Sequence, residues 1–130
     1  MKSTHALAVA TATVAGLGLA SAADAAPTPP TRIFLTITSG ATGDVKEVYL
    51  GCGPTGGNHP QAEVACTALD DAGGDFDRLK GGDADVMCPM VYEPVVAEAQ
   101  GTFDNVPVGW KKTFGNTCEL NAKTGTVFAF

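Results

Sequence analysis

The sequence predicts an α+β domain: about five mostly antiparallel strands, with one main helix and a short second helix packed on them and two disulfides holding the whole. Three observations carry that expectation. Residues 32–39 and 95–103 place aliphatic side chains at every second position, the period of a half-buried strand. Residues 62–69 place apolar side chains at three- and four-residue spacing, the period of a helix. Four cysteines, an even number, lie beyond residue 25 of a chain of 130 residues.

The first 25 residues are set apart from the fold. Met1 and Lys2 give a short positive start, and Ala6 to Ala20 is a 15-residue apolar run. That run suits the core of a signal peptide and is too short to span a bilayer. Small-residue cleavage sites follow at Ala20-Ser21-Ala22 and Ala23-Asp24-Ala25, so the expected mature chain begins at Ala23 or Ala26 and is secreted to the extracellular medium. The organisation expected is therefore a signal peptide over 1–25 and one domain over 26–130. Without Lys2 and Asp24, seven Lys and Arg stand against thirteen Asp and Glu, a net charge of −6. With basic residues scattered except at Lys111-Lys112, neither nucleic acid nor an anionic membrane surface is an expected partner.

The elements follow in order. After a proline-rich arm (26–30), Ile33, Leu35 and Ile37 alternate with Phe34, Thr36 and Thr38 in a first strand, and Val45 to Leu50 continues as its hairpin partner. Gly51 to His59 is a glycine-rich loop. Pro60 marks a first helical turn, Ala62, Ala65, Cys66 and Leu69 give the helix one apolar side, and Gly73-Gly74 stops it. Asp75 to Lys80 adds a short second helix with Phe76 and Leu79 inward. Val95, Ala97 and Ala99 define another strand, Val108 to Phe114 its partner, and Gly125 to Phe130 a closing strand.

Cys52, Cys66, Cys88 and Cys118 are separated by 13, 21 and 29 residues. In a small exported chain they read as two disulfides with three alternative pairings that spacing alone does not separate. A structural zinc site lacks both its Cys-x-x-Cys spacing and its histidines, and no metal or other cofactor is expected. Gly51-Cys52-Gly53-Pro54-Thr55-Gly56 spells a dinucleotide-binding G-x-G-x-x-G. Pro54, however, removes an N–H from a loop whose task would be to offer N–H groups, and the helix does not start until Pro60. Enzyme readings fare no better. His59 is the only histidine beyond residue 25 and Ser39 the only serine, so no Ser-His or Cys-His pair is in view. The carboxylate pairs Asp70/Asp71 and Glu93/Glu98 read as solvated surface. His59 instead reads as a hydrogen-bonding anchor where the loop meets the helix.

Residues 86–94, Val-Met-Cys-Pro-Met-Val-Tyr-Glu-Pro, are strongly apolar yet carry two prolines and no clean period. Such a segment, extended, stiffened and tied by a disulfide, is a protease substrate already immobilised. A free peptide entering a protease cleft loses about 1–2 kcal/mol of ordering entropy per residue. Six residues ordered beforehand spare up to roughly 6–12 kcal/mol, and half of that is about two to four decades in affinity. If the bond is cut, the new amine stays in place and the acyl-enzyme re-forms.

Two segments carry a resemblance to a known family. Cys52-Gly53-Pro54, Gly57-Asn58-His59-Pro60 and Ala65-Cys66-Thr67-Ala68-Leu69 match C-x-P…G-x-H-P…A-C-x-x-L, and Val86 to Tyr92 resembles a reactive-site loop. Both are similar to the secreted inhibitors of the Streptomyces subtilisin inhibitor type. Asn116 to Ala122 and Val127-Phe128-Ala129-Phe130 extend the likeness over the mature chain, while 26–31 and 101–109 depart from it. The resemblance implies a reactive bond Met90–Val91, with Met90 in the protease's main specificity pocket and Met87 in a second apolar one. Cys88 and Pro89 would hold the strand between them, and Tyr92 would lie on the leaving-group side. It also implies disulfides Cys52–Cys66 and Cys88–Cys118, a hydrogen bond from Asn116 to the loop and a homodimer. An unbranched Met90, with no Lys or Arg there, points to subtilisin-like targets, then chymotrypsin-like ones, and away from trypsin. A secreted disulfide-stapled binding module without inhibitory activity is the alternative.

Overall fold

A computed structural model of the chain describes residues 10–16, 18, 28–81 and 87–130. Most of the expected export segment 1–25, residues 26–27 of the arm, Gly82 and Val86 lie outside the described residues.

Five strands form one antiparallel sheet in the order β3-β2-β1-β4-β5. The central strand β1 (Thr31–Ser39) pairs on one side with β2 (Val45–Cys52) and on the other with β4 (Val95–Phe103), which pairs in turn with β5 (Val106–Phe114). The register places Ile33 opposite Leu50 and Leu35 opposite both Val48 and Ala99. The aliphatic sides of β1 and β4 thereby form one buried floor, as their two-residue period requires. Helix α1 (Ala62–Asp71) lays Ala65, Cys66 and Leu69 on that floor, and the Cys52–Cys66 disulfide fixes it to the end of β2.

His59 anchors the start of α1, as the sequence suggests. The Gln61 backbone N–H donates to His59 Nδ1 at 3.0 Å, which leaves Nε2 to donate to the Val127 carbonyl 2.9 Å away. The ring is buried and meets Phe130 edge-on. After α1 the chain turns at Gly73 and Gly74, whose N–H groups return to Asp70 and Leu69, the glycine stop expected there.

Four expectations are corrected. First, the closing strand over Gly125–Phe130 is a 3₁₀ turn, Gly125–Phe128. A strand would send the consecutive Val127 and Phe128 to opposite faces, whereas both are buried here in the single core, and burying Phe128 contributes roughly 3 kcal/mol. Second, that turn follows a helix the sequence did not reveal, α2 (Thr117–Thr124), whose polar composition hides its two core residues, Leu120 and Thr124. Third, the fifth strand is the two-residue β3 (Gly56–Gly57), inside what reads as loop. Gly57, at φ +97°, leaves the extended range and ends the pairing there, and it must be glycine because a Cβ would strike the Tyr49 backbone. Fourth, the short second helix over 75–80 shrinks to a 3₁₀ turn, Phe76–Arg78, capped by the Asp75 carboxylate, although Phe76 and Leu79 do point inward.

The hairpin 101–109 also resolves. Asp104 and Asn105, at φ 46° and 64°, form the two-residue turn between β4 and β5, whose positive φ values match the twist of a tight hairpin.

Candidate functional site

Residues 87–94 lead into β4 without regular structure, and three of them break the usual rule for apolar residues. Met87, Met90 and Tyr92 have relative exposures of 95%, 104% and 80%, with Val91 half exposed beside them. This row of large apolar side chains is offered outward rather than packed.

The backbone beneath them is held at five points. Cys88 is bonded to Cys118 in the first turn of α2, the pairing the resemblance implies. The Asn116 Nδ2 amide donates to the Pro89 carbonyl at 3.1 Å and to the Val91 carbonyl at 2.8 Å, and so spans Met90. The Glu93 N–H donates to the Gly115 carbonyl, and the Gly40 N–H donates to the Pro94 carbonyl, each at 2.8 Å. Pro89 and Pro94 lack the N–H that a free strand would have to satisfy.

Asn116 is itself fixed. It is the N-cap of α2, only 8% exposed, and its Oδ1 accepts from the Glu119 N–H at 2.9 Å. That bond decides which way the amide faces, because a flipped amide would set its oxygen against two carbonyl oxygens. One side chain therefore caps a helix and grips the loop on both sides of Met90. The grip of Asn116 is the one the family resemblance implies, whereas those of Gly115 and Gly40 have no counterpart there, since backbone groups leave no residue signal.

The remaining candidates gather into no site. Asp70 and Asp71 lie exposed on α1, and Glu98 pairs with Lys111 at 3.6 Å on the outer sheet face, away from Glu93. The G-x-G-x-x-G letters fold into a turn that returns as β3, and α1 starts only at Ala62, so no helix N-terminus meets them. Cys52 and Cys66 staple the core at a distance from the loop.

Comparison with known proteins agrees with this geometry. The profile of the subtilisin inhibitor-like family matches residues 29–116. Subtilisin inhibitor-like protein 4 of Streptomyces lavendulae is 44% identical over 117 residues, covering 84% of this chain and 100% of its own length. The subtilisin inhibitor of Streptomyces albogriseolus is 39% identical over 126 residues, covering 92% of this chain and 87% of its own. Among solved structures, Streptomyces caespitosus sermetstatin, crystallised in complex with Bacillus licheniformis subtilisin, superposes with a TM-score of 0.66 at 34% identity, covering 76% of this chain and 97% of that one. With the family profile matching residues 29–116 and relatives 39–44% identical along most of its length, the chain belongs to the subtilisin inhibitor-like family, a family of protease inhibitors and not of enzymes.

Proposed function

We propose that this protein inhibits subtilisin-like serine proteases by occupying their cleft as a substrate whose Met90–Val91 bond is held still. The observation that carries the reading is the double hydrogen bond from Asn116 to the carbonyls of Pro89 and Val91. Met90 enters the main specificity pocket and Met87 a second apolar pocket, Cys88 and Pro89 keep the strand extended, and Tyr92 packs on the leaving-group side. When the protease's serine attacks the Met90 carbonyl, the acyl-enzyme forms and the Val91 amine is released. That amine goes nowhere: Asn116 holds Val91 by its carbonyl, Gly115 holds Glu93, and Gly40 holds Pro94. It therefore attacks the acyl carbon again faster than water replaces it. Chymotrypsin-like proteases, whose pocket also admits a large apolar side chain, are the next class.

A titration tests this. The purified chain should abolish subtilisin activity at one equivalent, and the inhibitor recovered from the complex should be largely uncut or cut only at Met90–Val91. Rapid cleavage with no loss of protease activity would instead identify a binding module without inhibitory function.

Export and dimerisation belong to the same proposal. The apolar run Ala6–Ala20 supports secretion. The sheet face opposite α1 supports pairing, because Phe34 and Val45 are exposed on it and the Phe34 ring leans on Tyr49 at 5.2 Å. Protein recovered from culture medium is expected to lack its first 22 or 25 residues and to sediment at twice its chain mass. A full-length chain, or one sedimenting as a monomer at micromolar concentration, would refute the corresponding half.

A further inference from the structure

We infer that Glu119 is a positioning residue for the Met90–Val91 bond, an inference that rests on reading that bond as the reactive one. Glu119 is exposed, and none of its hydrogen bonds runs to residues 87–94. Its action is one residue removed. Its Oε2 accepts from the Gly115 N–H at 2.9 Å, while its own backbone N–H donates to Asn116 Oδ1 at 2.9 Å. Glu119 thus brackets the dipeptide Gly115-Asn116, and that dipeptide supplies three of the contacts that hold the loop: one from the Gly115 carbonyl to Glu93 N–H, two from the Asn116 amide.

The glycine and the carboxylate lie close together. A Cβ at Gly115 would lie 2.8 Å from Glu119 Oε2, so a side chain at 115 would push the carboxylate from its place beside the Gly115 N–H. Glycine is also the residue least able to hold its own backbone direction. Released from Oε2, the Gly115 N–H loses its side-chain partner, although Phe114 stays paired to Val95; the loosened Gly115 then holds Glu93 less firmly, and Asn116 the carbonyls on either side of Met90. A capping box ordinarily closes the helix N-cap itself. Here the glutamate reaches one residue further back, onto the residue that holds the leaving-group side of the loop.

The test compares how fast subtilisin cuts Met90–Val91 in the preformed complex for Glu119→Ala, Glu119→Gln and Asn116→Ala, with melting temperatures measured alongside. Glu119→Ala should raise the cleavage rate about tenfold, the scale of one hydrogen bond to a charged group. Glu119→Gln, which keeps an acceptor oxygen but not the charge at the α2 N-terminus, should stay within about twofold of the parent even if both variants melt earlier. A helix-stabilising role alone would speed cleavage equally in Gln and Ala, and that result overturns the inference, as does an unchanged rate in Glu119→Ala. If Asn116→Ala accelerates cleavage and Glu119→Ala does not, Glu119 alone is excluded. If neither accelerates it, the assignment of the reactive bond falls as well.

Discussion

Met90→Lys moves inhibition from subtilisin toward trypsin. Met90 stands clear of the fold, with its backbone fixed by Asn116 on either side, so a lysine there leaves every scaffold contact in place. The change falls on the pocket that receives residue 90. An apolar pocket that accepts a flexible thioether must now desolvate an ammonium group or leave it at the rim, whereas the carboxylate at the base of trypsin's pocket gains a charged partner. Trypsin inhibition should strengthen by about 100-fold or more, some 3 kcal/mol, while subtilisin inhibition weakens by about tenfold. Inhibition constants for both proteases, measured on parent and variant at equal salt, give the answer. Unchanged constants for both would place the reactive bond elsewhere.

Removing the Cys88–Cys118 bridge, as Cys88→Ala with Cys118→Ala, turns the inhibitor into a substrate. The bridge closes a span of 30 residues. Its loss costs about 3–4 kcal/mol in the chain-entropy account of such cross-links. Stability is only half of the effect, because Cys88 is also the disulfide anchor of the segment before Met90. With it gone, the acyl portion of a cut loop is free to shift, and hydrolysis should run to completion within minutes instead of stalling. The parallel variant Cys52→Ala with Cys66→Ala supplies the comparison. That bridge spans 14 residues and costs about 3 kcal/mol when lost, but it lies away from the loop. It should lower the melting temperature by a similar amount and leave cleavage at Met90–Val91 slow. Equal cleavage in both double variants would mean that global stability, and not the local anchor, protects the bond.

Much of this architecture was written in periodicities that one element can display by itself. Ile33, Leu35 and Ile37 announce β1 because the sheet buries one of its faces, and Ala65, Cys66 and Leu69 announce α1 for the same reason. What escaped were elements defined by their surroundings. Within α2 only Leu120 and Thr124 are buried, too few to print a period on eight residues. Val127 and Phe128 look like strand because apolar aromatic and β-branched residues usually are, and only the depth of the core shows that both go inward. At the site, Met87, Met90 and Tyr92 were visible through their wrong-place hydrophobicity. The Asn116-x-x-Glu119 spacing carries the letters of a helix cap and could have disclosed α2, whereas the backbone holds at Gly40 and Gly115 have no sequence trace.

Asn116 caps α2 and holds the loop, and this divides the labour of the molecule between two sets of residues. On the proposed reading, which enzyme is met depends on side chains at 87, 90 and 92, which stand out from the fold. How long the bond outlasts the encounter depends on residues 115–119, where the first turn of α2 cannot fray without letting go of Pro89 and Val91. If that reading holds, target choice and durability are free to vary separately, and a lineage carrying this scaffold would follow a changing protease by exchanging three exposed side chains without rebuilding the device that keeps it from being digested.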